Sequence, residues 1–205
     1  MDFKIAQKEL YRPTLAPTIV SVPEMAFIMI DGAGDPNTSQ DYIAAVETLY
    51  GLSYTIKMGN KDKLDYVVPP LEGFWTVADD TFRGDTDIID KSKFSWTLCI
   101  RQPEFVTAEI FADAKTKLAR KKPDLDLSLA RLEWFTEGLC AQVMHIGAYD
   151  KELATIAALD RFIADSGYCA DMSGSRRHHE IYLNDPRKTT PEKLKTVLRH
   201  PISKQ

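Results

Sequence analysis

Two distant stretches of this chain follow one pattern, and a chain that repeats itself must build its fold from two copies of a unit. The first runs Met25-Ala-Phe-Ile-Met-Ile-Asp-Gly32 and continues through Ala33 and Gly34 to Asp35. The second runs Cys140-Ala-Gln-Val-Met-His-Ile-Gly147 and continues through Ala148 and Tyr149 to Asp150. Short apolar runs closed by glycine read as buried strands. A helix follows each. Ser39 caps the first, whose apolar face is Ile43, Val46, Leu49 and Tyr50, with Gly51 as a stop or kink. Asp150 caps the second, which carries Leu153, Ile156, Leu159 and Ile163 and ends at Gly167.

After each helix comes a strand bearing a glutamate: Pro70-Leu-Glu72-Gly-Phe-Trp75 in the first half, His179-Glu180-Ile-Tyr182-Leu183 in the second. Aligning the glutamates sets Phe74 against Tyr182. Each half closes on a further matching strand, Ile100-Arg101-Gln102-Pro103 and Leu198-Arg199-His200-Pro201. The expected organisation is an extended, proline-bearing arm over 1–24, a first β-α-β-β half over 25–104, a linker over 105–138 and a second half over 139–205. Within the linker, Val106, Ile110, Ala114 and Leu118 form a helical stripe. A strand from Arg131 to Phe135 and a tight turn near Glu137-Gly138 complete it. Thr190-Pro191 marks a later helix start.

Charge narrows the function. The chain has 205 residues, with 26 basic against 30 acidic side chains and a formal charge of −4, which argues against direct nucleic-acid binding. The basic run Lys115, Lys117, Arg120, Lys121 and Lys122 reads as a solvated helix C-terminus. No apolar run approaches the roughly 18 residues that span a bilayer. The amino terminus lacks the apolar stretch of a secretory signal. Cys99, Cys140 and Cys169 are too scattered for a zinc or disulfide framework, so buried thiols in a reducing cytoplasm are expected. His178 and His179 are adjacent and would point to opposite faces of a strand, so no metal site is expected. Gly32-Ala33-Gly34 lacks the third glycine of a dinucleotide fingerprint, and no cofactor motif occurs.

Leu71-Glu72-Gly73-Phe74-Trp75, Ser95-Trp96-Thr97, Ile100-Arg101-Gln102-Pro103, His145-Ile146-Gly147-Ala148-Tyr149 and the run from His178 to Arg187 carry a resemblance. Together they make the chain similar to the GyrI-like small-molecule-binding family, related to the effector-binding domains of multidrug-responsive regulators. The resemblance covers nearly everything from Met25 onward. It implies an α+β fold, a pseudo-twofold pair of β-α-β-β modules whose antiparallel sheets enclose a central ligand cleft. It implies partners that are flat, hydrophobic, aromatic small molecules, cationic ones included. Some stand-alone members hydrolyse cyclopropanoid alkylating agents and so protect the cell. The family segment often has two tryptophans after Leu-Glu-Gly-Leu; Phe74-Trp75-Thr76 here removes one ring. A regulator would need a preceding DNA-binding domain, and the arm before Met25 is too short for one.

Glu72 and Glu180 are the residues that need explaining, because a carboxylate in an apolar strand must pair, raise its pKa or face a cavity. Pairing with Arg101 or Arg199 is one reading. Matching repeat positions flanked by aromatics favour the other, a shared hollow. The catalytic assignment is Glu180 as base, Tyr182 in support and Glu72 as second carboxylate. The expected ligand contacts are Phe74, Trp75, Trp96, Tyr149 and His179, whose rings suit flat apolar cations. Strand alternation puts Glu180 with Tyr182 and Glu72 with Phe74, but turns Trp75 away from Glu72. Two further readings share this cleft or fold: a passive binder without turnover, and a gyrase-inhibitor-like interaction module.

Overall fold

The computed structural model describes residues 1–77 and 90–204. Two one-turn helices, α1 (Phe3–Ala6) and α2 (Lys8–Tyr11), are followed by β1 (Thr18–Ala33), α3 (Gln40–Gly59), β2 (Leu71–Val77), β3 (Phe94–Gln102) and α4 (Ala108–Lys121). The second half supplies β4 (Arg131–Ile146), α5 (Leu153–Asp165), β5 (Tyr168–Ala170), β6 (His178–Tyr182) and β7 (Lys195–Lys204). The strands pair antiparallel in the order β4-β1-β3-β2-β6-β7, and β4 also pairs with β7, so the sheet closes into a barrel. The short β5 extends the outer end of β7.

The repeat is real, and it can be checked bond by bond. Ala26 pairs with Gln102 in the first half and Ala141 with His200 in the second, as the strand alignment requires. The glutamates, however, are not equivalent. Leu71 lies opposite Ile100, the counterpart of Leu198, and Leu198 lies opposite Glu180. Glu180 therefore corresponds to Leu71, and the alignment by glutamates is slipped by one residue. Because side chains alternate along a strand, such a slip exchanges the two faces.

Alternation sorts the barrel into an inside and an outside. Phe27, Met29, Phe74, Cys99, Cys140, Ile181 and Val197 fill the interior. On the outside, α3 and α4 cover Ile28, Ile30, Leu98 and Ile100, while α5 covers Ala141, Val143, Leu198 and Ile202. Ser39 Oγ caps α3 by accepting from the Tyr42 amide at 3.2 Å, and Gly167 adopts φ 78° past the end of α5. Gly51 neither stops nor ends α3. It lies where α4 crosses, and an added Cβ would come within 2.9 Å of Leu118.

Several expectations change. The arm is not extended at its start: α1 and α2 bury Phe3, Leu10 and Tyr11 against the barrel interior. Strand β1 begins before Met25 and runs through Pro23, whose missing N–H falls between the Val22–Gly138 and Glu24–Thr136 pairs. No tight turn forms at Glu137-Gly138; β4 is continuous, and Gly138 takes φ 75° within it. Thr190-Pro191 starts a single 3₁₀ turn, Pro191–Lys193. Cys99 and Cys140 are buried, whereas Cys169 is exposed. Among the described residues no helix is long and apolar enough to cross a membrane.

Candidate functional site

The two glutamates occupy opposite faces of the barrel wall. Glu72 lies opposite Ile181, and Phe74 opposite His179, all pointing inward. Gly73 lies opposite Glu180, Leu71 opposite Tyr182 and Trp75 opposite His178, all pointing outward. The expected common hollow for Glu72 and Glu180 is thus corrected, for the reason of register just given.

The inner group is a closed ionic cluster. His179 presents Nε2 to Glu72 at 3.1 Å and Nδ1 to Glu137 at 3.1 Å. A carboxylate within ion-pair distance of each ring nitrogen, hydrogen-bonded at Nδ1, favours the imidazolium form. Burial works against that charge, but Glu137 and Glu72 overcome it and raise the His179 pKa. Burial likewise opposes the Glu137 carboxylate, yet His179 and Arg199 hold it down at about 2. Arg199 Nη1 donates to Glu137 at 2.9 Å, and its other nitrogens reach Gln142 Oε1 and the Leu10 carbonyl. The Tyr11 hydroxyl closes the cluster by donating to Glu72 at 3.2 Å. Phe74 stacks on the His179 ring with centroids 4.1 Å apart. Two acids and two cations balance here, all buried. Glu72, Phe74 and His179 therefore belong to the folded core, and the ion-pair reading of Glu72 holds in a form that runs through His179.

The outer group lies on the wall between helices α3 and α5. Helix α3 packs on β1 and β3, and α5 on β4 and β5, leaving the β2–β6 seam between them. On that seam the Tyr182 hydroxyl donates to Glu180 Oε2 at 2.8 Å and accepts from Trp75 Nε1–H at 3.0 Å. Gly73 makes room for this arrangement, since a Cβ there would meet Trp75 Nε1 at 2.7 Å and the Tyr182 oxygen at 3.3 Å. Tyr42 of α3 stacks over Trp75, with centroids 6.2 Å apart. Tyr149 meets Tyr182 edge-on at 5.7 Å and is 38% exposed, so the group reaches the surface at that ring. Trp96 is buried beneath them against Gly32, its ring edge on Tyr42, and serves as the floor rather than a surface contact.

One residue that the sequence reading missed completes the outer group. Glu152, at the N-cap of α5, is 6% exposed, and its Oε1 has no hydrogen-bond partner among the described residues. Burial and then the charge of Glu180 push its pKa well above the carboxylate range. Burial and Glu180 also raise Tyr182 and Tyr42, so both keep their hydroxyl protons. The group thus pairs an acid that holds its proton with a second carboxyl able to exchange one, between rings. No repeat position or motif flagged Glu152, because its role depends on burial at a helix start.

A family model described as a GyrI-like small molecule binding domain matches residues 15–203. An uncharacterized conserved protein from Listeria innocua is 45% identical over 99% of this chain and 100% of its own, with a TM-score of 0.91. A hydrolase from Listeria innocua is 43% identical over 99% of this chain and 100% of its own, with a TM-score of 0.88. The C-terminal domain of EcmrR shares the fold at 12% identity, covering 92% of this chain and 98% of that one with a TM-score of 0.59. No curated protein matches the chain.

Proposed function

The chain belongs to the GyrI-like small-molecule-binding family, and from that premise we propose that its outer cleft binds flat aromatic molecules and hydrolyses cyclopropanoid alkylating agents among them. Residues 25–104 and 139–205, joined by 105–138, act as the two halves of one ligand-binding domain in a cytoplasmic, protective protein. The observation that carries the reading is the pair Glu180 and Glu152, unequal in environment, set among Tyr42, Trp75, Tyr149 and Tyr182. A hydrolase from Listeria innocua, 43% identical along its whole length, supports turnover.

The chemistry follows from the unequal pair. Glu180, as carboxylate, takes a proton from water as the water oxygen bonds to the cyclopropane carbon. The strained C–C bond breaks and its electron pair moves into the dienone, whose oxygen becomes a phenol. Glu152 supplies the phenol proton, and the Tyr182 hydroxyl orients the reacting oxygen. Water's hydroxyl ends on carbon and its proton on Glu180, and return of one proton from Glu180 to Glu152 resets the pair. The second-carboxylate role thus moves from Glu72 to Glu152.

A cyclopropanoid dienone incubated with the protein is expected to yield the ring-opened alcohol, with Glu180→Gln and Glu152→Gln each at least about 100-fold slower. Wild-type rates in Glu180→Gln would overturn the mechanism. Tight binding with the ligand recovered intact would favour a sequestering protein, a reading that the aromatic walls around Glu180 also suit.

A further inference from the structure

Behind Glu180 a chain of hydrogen bonds leaves the cleft. Glu180 Oε1 is 3.0 Å from His178 Nε2, His178 Nδ1 is 2.8 Å from His200 Nε2, and His200 Nδ1 is 2.9 Å from Asp160 Oδ1. Both imidazoles are buried, while the Asp160 side chain on α5 is 37% exposed. The chain therefore runs from Glu180 along the outer face of β6 and β7 to α5 and solvent.

Its polarity can be worked out from donors and acceptors alone. Ionised Asp160 can only accept, so His200 carries its proton on Nδ1. Burial lowers the His200 pKa, with the His178 ring adding to the effect, so the ring is neutral and its Nε2 accepts. His178 then donates from Nδ1. Its Nε2 faces Glu180 Oε1, and two lone pairs cannot meet at 3.0 Å, so one proton lies between them. The other Glu180 oxygen already accepts from Tyr182.

We infer that Asp160, His200 and His178 are positioning residues that hold a proton on the inner side of Glu180 and carry it to and from solvent. In the outward direction the proton between Glu180 and His178 settles on His178 Nε2, His178 Nδ1–H passes to His200 Nε2, and His200 Nδ1–H to Asp160. Uptake in reverse restores both tautomers, so no proton is created or lost over a cycle. Glu180 meets an incoming cation or water as a carboxylate once its proton has left by this route. The groups facing Glu180 from other elements are Tyr42 of α3, Trp75 of β2, and Tyr149 and Glu152 at the start of α5. In the free protein the hydroxyls and Glu152 keep their protons, so none of them substitutes there for the histidine chain as an acceptor.

The inference deepens the proposed use of Glu180, and its test separates the two. In the free protein, ¹⁵N NMR of the imidazoles should show protons on Nδ1 of both His178 and His200. Asp160→Asn keeps the shape, but its amide can donate to His200 Nδ1. Both rings should then switch to the Nε2–H form, including His178, which Asp160 does not touch. A structural role for Asp160 would leave His178 unchanged, and that result, or Nε2–H rings in the wild type, would overturn the inference. Should Asp160→Asn not fold, the wild-type tautomers decide.

Tetraphenylphosphonium, a cation of fixed charge, supplies the second readout. Titration calorimetry in buffers of different ionisation heat should find on the order of one proton released per cation bound by the wild type, and none by Asp160→Asn. Equal release by both would count against the chain. If the cation binds neither protein, the cleft reading fails while the tautomers still judge the relay.

Discussion

At the scale of the residue, Glu152 and Glu137 show what surroundings do to one functional group. Glu137 accepts from a guanidinium and an imidazolium and stays ionised to about pH 2. Glu152 has burial and a like charge nearby, and holds its proton. The sign of each contribution to stability follows. The folded state keeps the Glu152 proton beyond 4.5, where the unfolded chain gives it up, so this residue costs stability as pH rises above that value. Glu152→Gln should therefore be more stable than the wild type by about 1–3 kcal/mol at pH 7, with the gap closing below pH 4.5. Denaturant unfolding across that range is the measurement, and a gap independent of pH would contradict the assignment of a neutral Glu152.

At the scale of the element, α1 and α2 do the most with the least length. They bring Tyr11 to Glu72, the Leu10 carbonyl to Arg199, the Glu9 carbonyl to Gln142 and Gln7 to Arg101. They also stop the barrel with Phe3, Leu10 and Tyr11. Removing residues 1–11 should lower stability by about 5 kcal/mol or more, since it uncovers apolar surface and strips partners from buried charges. In a chain of this size that is a fall of more than about 10 °C in melting temperature; an unchanged melt would show the plug to be dispensable. This element was hard to read in sequence, because two single turns lack the periodicity that marks a longer helix. The strands and the long helices were legible: Ser39, Gly167 and the paired apolar runs put β1, α3, β4 and α5 in the right order. What failed was one register. Leu71-Glu72-Gly73 and Glu180-Ile181-Tyr182 each offer a glutamate to an aligner, and only the ladder through Ile100 and Leu198 shows which residues correspond. Trp75, which alternation turns away from Glu72, lies on the Glu180 face, where its Nε1–H donates to the Tyr182 oxygen.

At the scale of the molecule, two acidic systems sit back to back in one wall and answer to pH separately. The inner cluster loses strength in acid as Glu137 takes up a proton, and in base as pH rises past the raised pKa of His179. Glu137 contributes stability above its ordinary value of 4.5, and that contribution disappears as pH falls toward about 2. An acid titration of unfolding free energy should decline through this window in the wild type and flatten in Glu137→Gln, which starts from a lower value at neutral pH. The outer group carries its proton traffic on the other side of the same strands, through His178 and His200. Membership of a binding family and the placement of the outer group between α3 and α5 join these parts into one reading.

The closed ring has a consequence for which guests can be accepted. A hoop of strands bonded on both sides cannot widen by letting one strand slip, since every ladder would have to break together. Accommodation of molecules of different girth must come from the parts laid over the hoop: the Tyr42 and Tyr149 rings swinging, and α3 and α5 tilting apart. Breadth of ligand choice is thereby assigned to the helices, while Glu180 on β6 stays fixed and Glu152 travels with α5.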